Sequence, residues 1–308
     1  MQAEERKSLL ERMPHVKGRL VENASLSRLS WFRTGGNAEL LFEPADEADL
    51  VKVLRHLPGS VPITVIGVGS NLLVRDGGVE GLVIRLGRGF ANICMRGNVV
   101  NAGAGAMDVH VAKAAAKGGL TGLEFLVGVP GTIGGAVRMN AGAYGREVKD
   151  VLKHAHAVDR YGHIVELQPK DFDYSYRHSA LDDSMIVLKA SFNTSIGDEE
   201  EILERMREIS STRAESQPLG TRTGGSTFKN PEGQHAWELI DQAGCRGMRI
   251  GDAQVSEKHC NFLINHGGAS AADLETLGEN VRAGVKENSG VELEWEIRMI
   301  GSPAKEHT

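Results

Sequence analysis

Apolar and polar positions alternate along the chain with two periods, one typical of strands and one typical of helices. The segment AELLFEP predicts a strand that ends at Pro44. The next segment, ADEADLVKVLRHL, predicts a helix with Asp46 as its N-cap and one apolar face, made of Leu50, Val53, Leu54 and Leu57. Short β-branched runs, PITVIG, LLVRD and GLVIRL, then predict three strands separated by glycine-rich turns.

The rest of the chain continues this mixture of strands and helices. Two hairpins are predicted, one turning at Arg96-Gly97-Asn98 and one at Tyr161-Gly162. Helical patterns cover residues 1–13, 107–119, 198–210, 235–244 and 269–290. Further strands are predicted at 184–195, 261–267 and 291–301, and in the last of these Glu294, Glu296 and Arg298 would share one face.

This order of elements predicts an α+β fold with more than one domain. A shift in composition at Gly197 separates the hairpin-rich part from a more charged, helical part. We therefore expect an N-terminal helical extension over 1–22, a first domain over 23–197 and a smaller α/β domain over 198–308. The first domain would have two lobes, at about 23–86 and 87–197.

Composition and charge exclude several classes of protein. The 308 residues are 41% hydrophobic and 25% charged, which is typical of a globular protein with a real core. The net charge of -6 argues against a nucleic-acid partner. Three cysteines without CxxC spacing favour a reducing compartment, and no apolar run is long enough to cross a membrane. We expect a cytoplasmic protein without a membrane or nucleic-acid partner.

The 38 glycines exceed the usual share of about 7% and concentrate in two places. The first is VIGVGSN, where closely spaced N–H groups could hold a pyrophosphate; a tight hairpin turn is the alternative. It lacks the third glycine and the following helix of a dinucleotide-binding Rossmann fingerprint. The second is GVPGTIGGAVRMNAGAYG, where the backbone could lie against a planar or phosphorylated ligand; tight packing of one loop on another is the alternative.

Five segments in order, IGVGSNLLV, GVPGTIGGAVRMNAGAYG, FDYSYRHS, GGSTFKNP and ELEWEIRMIG, resemble the UDP-N-acetylenolpyruvoylglucosamine reductase family. The resemblance runs from about Asn23 to Gly301 and implies the shorter type of the family, without a long inserted loop. It implies an FAD-binding domain of the vanillyl-alcohol and p-cresol oxidase type, followed by a substrate domain. It also implies NADPH-dependent reduction of UDP-N-acetylglucosamine enolpyruvate to UDP-N-acetylmuramate in peptidoglycan precursor synthesis, through FAD.

The same resemblance implies which residues would hold FAD. They come from the two glycine clusters: Gly67, Val68, Gly69, Ser70 and Asn71 in the first, and Gly128, Pro130, Gly131, Thr132, Ile133, Gly134 and Gly135 in the second.

Three residues match the family's catalytic groups. Arg177 would pair with the substrate carboxylate, Ser226 would protonate the adjacent carbon, and Glu296 would stabilise the enolic intermediate. Without the resemblance, they are more simply interpreted as a surface arginine, a turn serine and a solvated strand edge. Where many members have proline before that glutamate, this chain has Trp295, which we interpret as a local packing difference.

Further candidates surround these residues. Substrate contacts are expected from Tyr176, Lys229, Asn230 and Arg298, although Lys229 could equally be a solvated charge and Tyr176 a packing residue. His259 is the one histidine that we single out, and without a HExxH pair no metal catalysis is expected.

Two rival functions remain at this stage. One is an oxidase or dehydrogenase with the same FAD-binding domain. The other is a nucleotide-sugar binding protein without flavin. A monomer that binds small-molecule substrates is expected.

Overall fold

The computed structural model describes residues 8–305. The chain divides into two compact units that are discontinuous in sequence. The first unit consists of Met1–Asn23, Glu39–Gly67 and Gly81–Ser211, and the second of Ala24–Ala38, Val68–Glu80 and Thr212–Thr308. The predicted bounds of the cofactor-binding domain, 23–197, and of the substrate domain, 198–308, stay a prediction, because each domain is defined by the ligand that it binds.

The helices and strands of the described residues follow the predicted mixture. The α-helices are α1 Glu47–His56, α2 Asp108–Lys117, α3 Ile133–Arg138, α4 Glu199–Ser216, α5 Ala236–Gln242 and α6 Ala271–Ser289. The strands are β1 Arg19–Ser25, β2 Asn37–Glu43, β3 Ile63–Ile66, β4 Leu72–Val74, β5 Val79–Arg85, β6 Ile93–Arg96, β7 Val99–Gly103, β8 Leu120–Thr121, β9 Gly142–Ala143, β10 Arg146–Glu147, β11 Leu152–Val158, β12 Ile164–Leu167, β13 Ile186–Asn193, β14 Ser195–Ile196, β15 Arg249–Ile250, β16 Ala253–Val255, β17 Leu263–Asn265 and β18 Arg298–Ile300.

Two larger sheets contribute to the first unit. One has the strand order β1-β2-β5-β3, with β3 and β5 parallel, and the other has the order β12-β11-β13-β7-β6, in which neighbours are antiparallel. Both predicted hairpins are confirmed, as β6-β7 and β11-β12. The core of this unit contains the apolar face of α1, and Asp46 caps that helix by accepting from the Asp49 N–H at 2.8 Å.

The N-terminal helix predicted over 1–13 lies partly outside the described residues. Within them, Leu10–Arg12 forms a single 3₁₀ turn, and Ser8 accepts a hydrogen bond from the Glu11 N–H. No described helix is both long enough and apolar enough to cross a membrane.

The second unit is built around α5, α6 and a three-stranded antiparallel sheet ordered β15-β16-β17. Its own hydrophobic core includes Phe32, Phe228 and the buried face of α6. Strand β4 pairs in parallel with β18, with Leu72 opposite Arg298. This pairing brings Asn71, in the glycine-rich turn before β4, next to Arg298.

The strand predicted over 291–301 is shorter than expected. Residues before Arg298 form no continuous ladder, and Trp295 makes only an isolated bridge with Phe228. The alternation of burial persists, because Leu293 and Ile297 are buried whereas Glu294 is exposed. The segment is therefore extended in shape but is held by single contacts instead of a sheet.

Trp295 packs against a glycine of α6. A Cβ at Gly278 would lie 2.0 Å from the indole Cη2. The indole N–H donates to the Glu279 carboxylate at 2.7 Å, and its ring lies 5.0 Å from that of Phe228. This supports the interpretation of Trp295 as a local packing difference.

We expect Gly278→Ala to destabilise the protein by about 1–3 kcal/mol, because the added methyl group overpacks the site of the indole. Urea unfolding measures the effect. Gly284→Ala on the same helix is the control, since its Cβ would meet only the Cys245 sulfur at 3.2 Å. Equal stability of the Gly278 variant and the parent would show that the indole moves freely.

Candidate functional site

The first glycine cluster is not a hairpin turn. It joins β3, which pairs with β5, to β4, which pairs with β18, so the strands on either side of the turn belong to different sheets. At Gly69 the φ angle is +70°, and a Cβ there would lie 2.4 Å from the Leu29 carbonyl oxygen. The chain therefore needs glycine at this position to pass between the two strands.

The second glycine cluster includes several close approaches of backbone. A Cβ at Gly128 would meet the Tyr144 ring at 2.9 Å, and one at Gly134 would meet the Ala104 Cβ at 3.0 Å. At Gly67, in the first cluster, a Cβ would lie 2.7 Å from the Thr132 hydroxyl. Loop packing thus explains part of the glycine excess. In the first unit, the backbone at Gly67 lies close to the Thr132 side chain.

Gly135 is different from its neighbours. It lies in α3 and is exposed, and a Cβ built there would meet no protein atom within 4 Å apart from its chain neighbours and the backbone of its own helix. No packing contact of the described chain therefore requires glycine at this position. A ligand that approaches the backbone would require it.

Asp108 lies beside the same loop and has an unusual environment. It is the first residue of α2, it is fully buried, and its N–H donates to the Gly131 carbonyl oxygen at 3.2 Å. Neither carboxylate oxygen has a hydrogen-bond partner among the described residues. Burial raises the pKa of this carboxyl well above its usual value, so the folded protein favours the protonated acid.

This raised pKa predicts that Asp108 costs stability as the pH rises. The unfolded carboxyl loses its proton near pH 4, whereas the folded carboxyl keeps it to higher pH. Raising the pH above about 4 therefore favours the unfolded chain. We expect Asp108→Asn to gain stability relative to the parent between pH 5 and pH 8, as measured by urea unfolding. A constant difference across that range would contradict the prediction.

Arg177 is held in a tight turn of the first unit. Ser175 and His178 bridge to each other, and the intervening Arg177 has a φ angle of +54°. Its guanidinium donates to the Gly142 carbonyl oxygen at 2.7 Å and lies 3.5 Å from a Glu147 carboxylate oxygen. It also lies 4.8 Å from the centre of the Tyr176 ring, in a cation–π arrangement.

Asn140 and Glu147 are two residues of this arrangement that the sequence analysis did not identify. Asn140 is fully buried, and its side-chain amide donates to the Ser175 carbonyl oxygen and to the Glu147 carboxylate, both at 3.0 Å. The Asn140 side-chain oxygen accepts from the Lys149 N–H at 2.9 Å. Asn140 thus fixes both the turn that carries Arg177 and the carboxylate beside its guanidinium.

The segments that contain Ser226 and Glu296 pair with each other within the second unit. The Glu296 N–H donates to the Thr227 carbonyl oxygen at 2.8 Å, and the Lys229 N–H donates to the Glu294 carbonyl oxygen at 2.9 Å. The segments 226–229 and 294–297 therefore run side by side in an extended conformation. Ser226 is half-buried, and the preceding residue, Gly225, has a φ angle of +82°.

Asn71 joins the first glycine turn to the Glu296 segment. Its side-chain amide donates to the Glu296 carbonyl oxygen at 3.1 Å, and its own carbonyl oxygen accepts from the Arg298 N–H at 3.0 Å. Ser70 lies in the same region, since a Cβ at Gly225 would be 4.0 Å from the Ser70 carbonyl oxygen. The second unit therefore gathers Ser70, Asn71, Ser226 and Glu296.

The remaining candidates have varied surroundings. Lys229 forms an ion pair with Glu294 at 3.1 Å, and Tyr176 is exposed. The Asn230 side-chain oxygen accepts from the Ala236 N–H at 3.0 Å at the start of α5, which is a structural contact. Arg298 is exposed on β18. His259 packs against the rings of Trp237 and Phe262, and burial lowers its pKa.

Comparisons with known proteins identify the family. A family model described as an FAD binding domain matches residues 38–168, and one described as the UDP-N-acetylenolpyruvoylglucosamine reductase C-terminal domain matches residues 217–300. A reductase of that name from Parvibaculum lavamentivorans is 60% identical and covers 98% of this chain and 97% of its own length. The chain belongs to the UDP-N-acetylenolpyruvoylglucosamine reductase family.

Two further relatives agree with this membership. The reductase from Azorhizobium caulinodans is 57% identical over 96% of both chains. The crystal structure of the reductase from Thermus caldophilus is 34% identical, with a TM-score of 0.81, covering 93% of this chain and 100% of that chain. Membership confirms the predicted α+β fold with an FAD-binding domain, the oxidoreductase class, the FAD cofactor and NADPH as the reductant.

The described residues fit an FAD-binding role. Gly135 offers exposed backbone with open space where a side chain would be, and it lies within the matched FAD-binding domain. Within the same unit, Thr132 adds a polar side chain in the glycine-rich segment that contains Gly135. The flavoprotein assignment excludes the rival interpretation as a nucleotide-sugar binding protein without flavin.

Proposed function

We propose that Arg177, Ser226 and Glu296 carry the chemistry of the family reaction in this enzyme. The enzyme reduces UDP-N-acetylglucosamine enolpyruvate to UDP-N-acetylmuramate with NADPH, a step in peptidoglycan precursor synthesis. The observation that carries the proposal is the pairing of the segment that contains Ser226 with the segment that contains Glu296, held by the hydrogen bond from the Glu296 N–H to the Thr227 carbonyl oxygen.

The protein residues handle charge and protons in this reaction. When bound, FAD would supply the hydride transfer from NADPH to the terminal carbon of the enolpyruvyl group. Ser226 donates a proton to the carbon next to the carboxylate, and Glu296 stabilises the enolic charge by donating a hydrogen bond from its carboxyl O–H. The half-buried position of Ser226 supports its role as a proton donor, because water then competes less for its hydroxyl.

Arg177 binds the substrate carboxylate in this proposal. A guanidinium has five donors in a planar fork that matches the two oxygens of a carboxylate, and the contacts with Gly142 and Glu147 hold this fork in place. Asn140 acts as a positioning residue, since it holds both Ser175 and Glu147. Tyr176, Lys229, Asn230 and Arg298 are proposed substrate contacts, and the Asn230 side chain is held by its hydrogen bond to the start of α5.

We also propose that the enzyme is a cytoplasmic monomer without nucleic-acid or membrane partners. Cys245 and Cys260 are buried free thiols, which agrees with a reducing compartment. Ile196, Tyr161 and Leu219, the three most exposed large hydrophobic side chains among the described residues, are distant from one another in sequence. Sedimentation of the purified enzyme distinguishes a monomer from a dimer.

Steady-state turnover tests the proposed reaction. The purified protein should be yellow, and NADPH oxidation under nitrogen should require UDP-N-acetylglucosamine enolpyruvate beyond the first equivalent. The rival oxidase would instead consume oxygen with another substrate and make no use of NADPH. Continued NADPH oxidation without the enolpyruvyl substrate under nitrogen would overturn the proposal.

A further inference from the structure

Two histidines and a glutamate form a cluster on the hairpin β11-β12, in residues for which the proposed reaction has no role. His154 and His156 alternate with Ala155 and Ala157, which are fully buried in the core of the first unit. The histidines therefore point to the opposite face of the five-stranded sheet. Glu166 on β12 lies directly opposite His156 in the antiparallel register.

The side-chain geometry is compact enough for a shared ligand. One ligand atom from each of the three residues lies within 4.8 Å of the others. The His156 Nε2 is 3.7 Å from a Glu166 carboxylate oxygen, and the two imidazole rings are 5.6 Å apart at their centres. Zinc bonds of about 2.0–2.2 Å require ligand atoms roughly 3.4 Å apart, which small side-chain rotations would reach.

A hydrogen-bond chain next to the cluster fixes the tautomer of His154. The Ser191 hydroxyl donates to the Asn101 side-chain oxygen at 2.6 Å, so its oxygen accepts from the His154 Nε2 at 3.0 Å. The proton of the neutral imidazole is then on Nε2, and Nδ1 has a free lone pair. Metal-binding histidines commonly donate their second ring nitrogen in this way.

Charges of both signs lie near the cluster. The Lys189 ammonium is close to His156 and opposes a cation there, whereas the carboxylates of Glu166 and the more distant Glu47 attract one. Binding therefore depends on direct coordination by the three side chains, because the surrounding charges oppose each other.

We propose that His154, His156 and Glu166 bind a late first-row divalent metal ion, with Zn²⁺ as the expected ion and water completing the coordination. Two imidazoles and one carboxylate suit this class of metal better than Mg²⁺ or Ca²⁺, which prefer oxygen ligands. The ion would link β11 to β12 across the hairpin. It has no role in hydride or proton transfer.

Calorimetric titration of the FAD-bound enzyme with Zn²⁺ tests the site, after removal of any affinity tag and treatment with a chelator. We expect one Zn²⁺ per chain, with a binding constant at least tenfold weaker in His156→Asn and in Glu166→Gln. Co²⁺ should give a visible absorption band in the parent that both variants lose. Thermal unfolding without metal checks that the variants fold.

Two matched variants distinguish this site from other side chains that could bind Zn²⁺. His56→Asn removes an exposed histidine at the end of α1, and Cys94→Ser removes the exposed thiol of β6; both should bind Zn²⁺ as the parent does. Zinc binding that disappears with Cys94→Ser but persists in His156→Asn would overturn the proposal. The absence of stoichiometric binding in the parent would overturn it as well.

Discussion

Ser226→Ala is expected to slow the formation of UDP-N-acetylmuramate by about 10²–10⁴-fold, because it removes the proton donor for the carbon next to the carboxylate. Flavin reduction by NADPH should proceed at the parent rate, since that step needs no proton from Ser226. Stopped-flow absorbance follows each half-reaction separately in the same enzyme. The selective loss of the second half-reaction would identify Ser226 as a catalytic residue and not merely a turn residue.

Ser302→Ala is the matched control for this experiment. Ser302 is an exposed serine of the second unit, and its removal should leave both half-reactions unchanged. Urea unfolding of the Ser226 variant checks that its fold is intact. If Ser226→Ala forms product at the parent rate, another group donates the proton. If both half-reactions slow equally, Ser226 supports the site only structurally.

Gly135→Val is expected to weaken FAD binding by roughly tenfold to a hundredfold. This corresponds to a loss of about 1–3 kcal/mol in the free energy of FAD binding, the usual effect of overpacking a contact. The stability of the apoprotein should change by less than about 1 kcal/mol, because no protein atom outside the helix backbone and the chain neighbours lies within 4 Å of the new Cβ. Fluorescence titration of the apoprotein with FAD measures the first quantity, and urea unfolding without FAD measures the second.

Gly59→Val provides the control for Gly135→Val. Gly59 also has open space around the position of a Cβ, but it lies in the turn after α1, outside both glycine clusters. We expect this variant to bind FAD as tightly as the parent. Unchanged FAD affinity in Gly135→Val would remove Gly135 from the cofactor site. A large loss of apoprotein stability would mean that the glycine serves packing instead.

Local pattern predicted most of the regular elements. The hairpins β6-β7 and β11-β12 combine alternation with glycine in their turns, so neighbouring residues specify both the strands and the connection. The helix α1 has its N-cap, its apolar face and its end within a single segment. Such elements depend little on distant parts of the chain, and their prediction from sequence was correct.

Elements that depend on distant partners were predicted less well. The segment before Arg298 keeps the alternation of a strand, but Trp295 has only Phe228 as a bridge partner, and a ladder forms only where β18 meets β4. In the same way, the turn before β4 resembles a hairpin locally, yet its two strands pair in different sheets. Sequence alternation does not identify the partner of a strand.

The sequence also predicts only part of the candidate site, because some of its residues are held by distant partners. Family resemblance pointed to Arg177, and it remains a prediction that this residue is catalytic. The residues that hold it are separated from it in sequence: Asn140 contacts Ser175 across 35 positions, and Glu147 lies 30 positions from Arg177. A buried asparagine with a positive φ angle is identified as a positioning residue only when its hydrogen bonds are known.

The most direct test of the account is a single turnover under nitrogen. The enzyme is first reduced with one equivalent of NADPH, and UDP-N-acetylglucosamine enolpyruvate is then added while the flavin absorbance is followed. We predict that the absorbance of oxidised flavin returns and that one equivalent of UDP-N-acetylmuramate forms. Flavin that stays reduced until oxygen is admitted, with no product, would contradict the account.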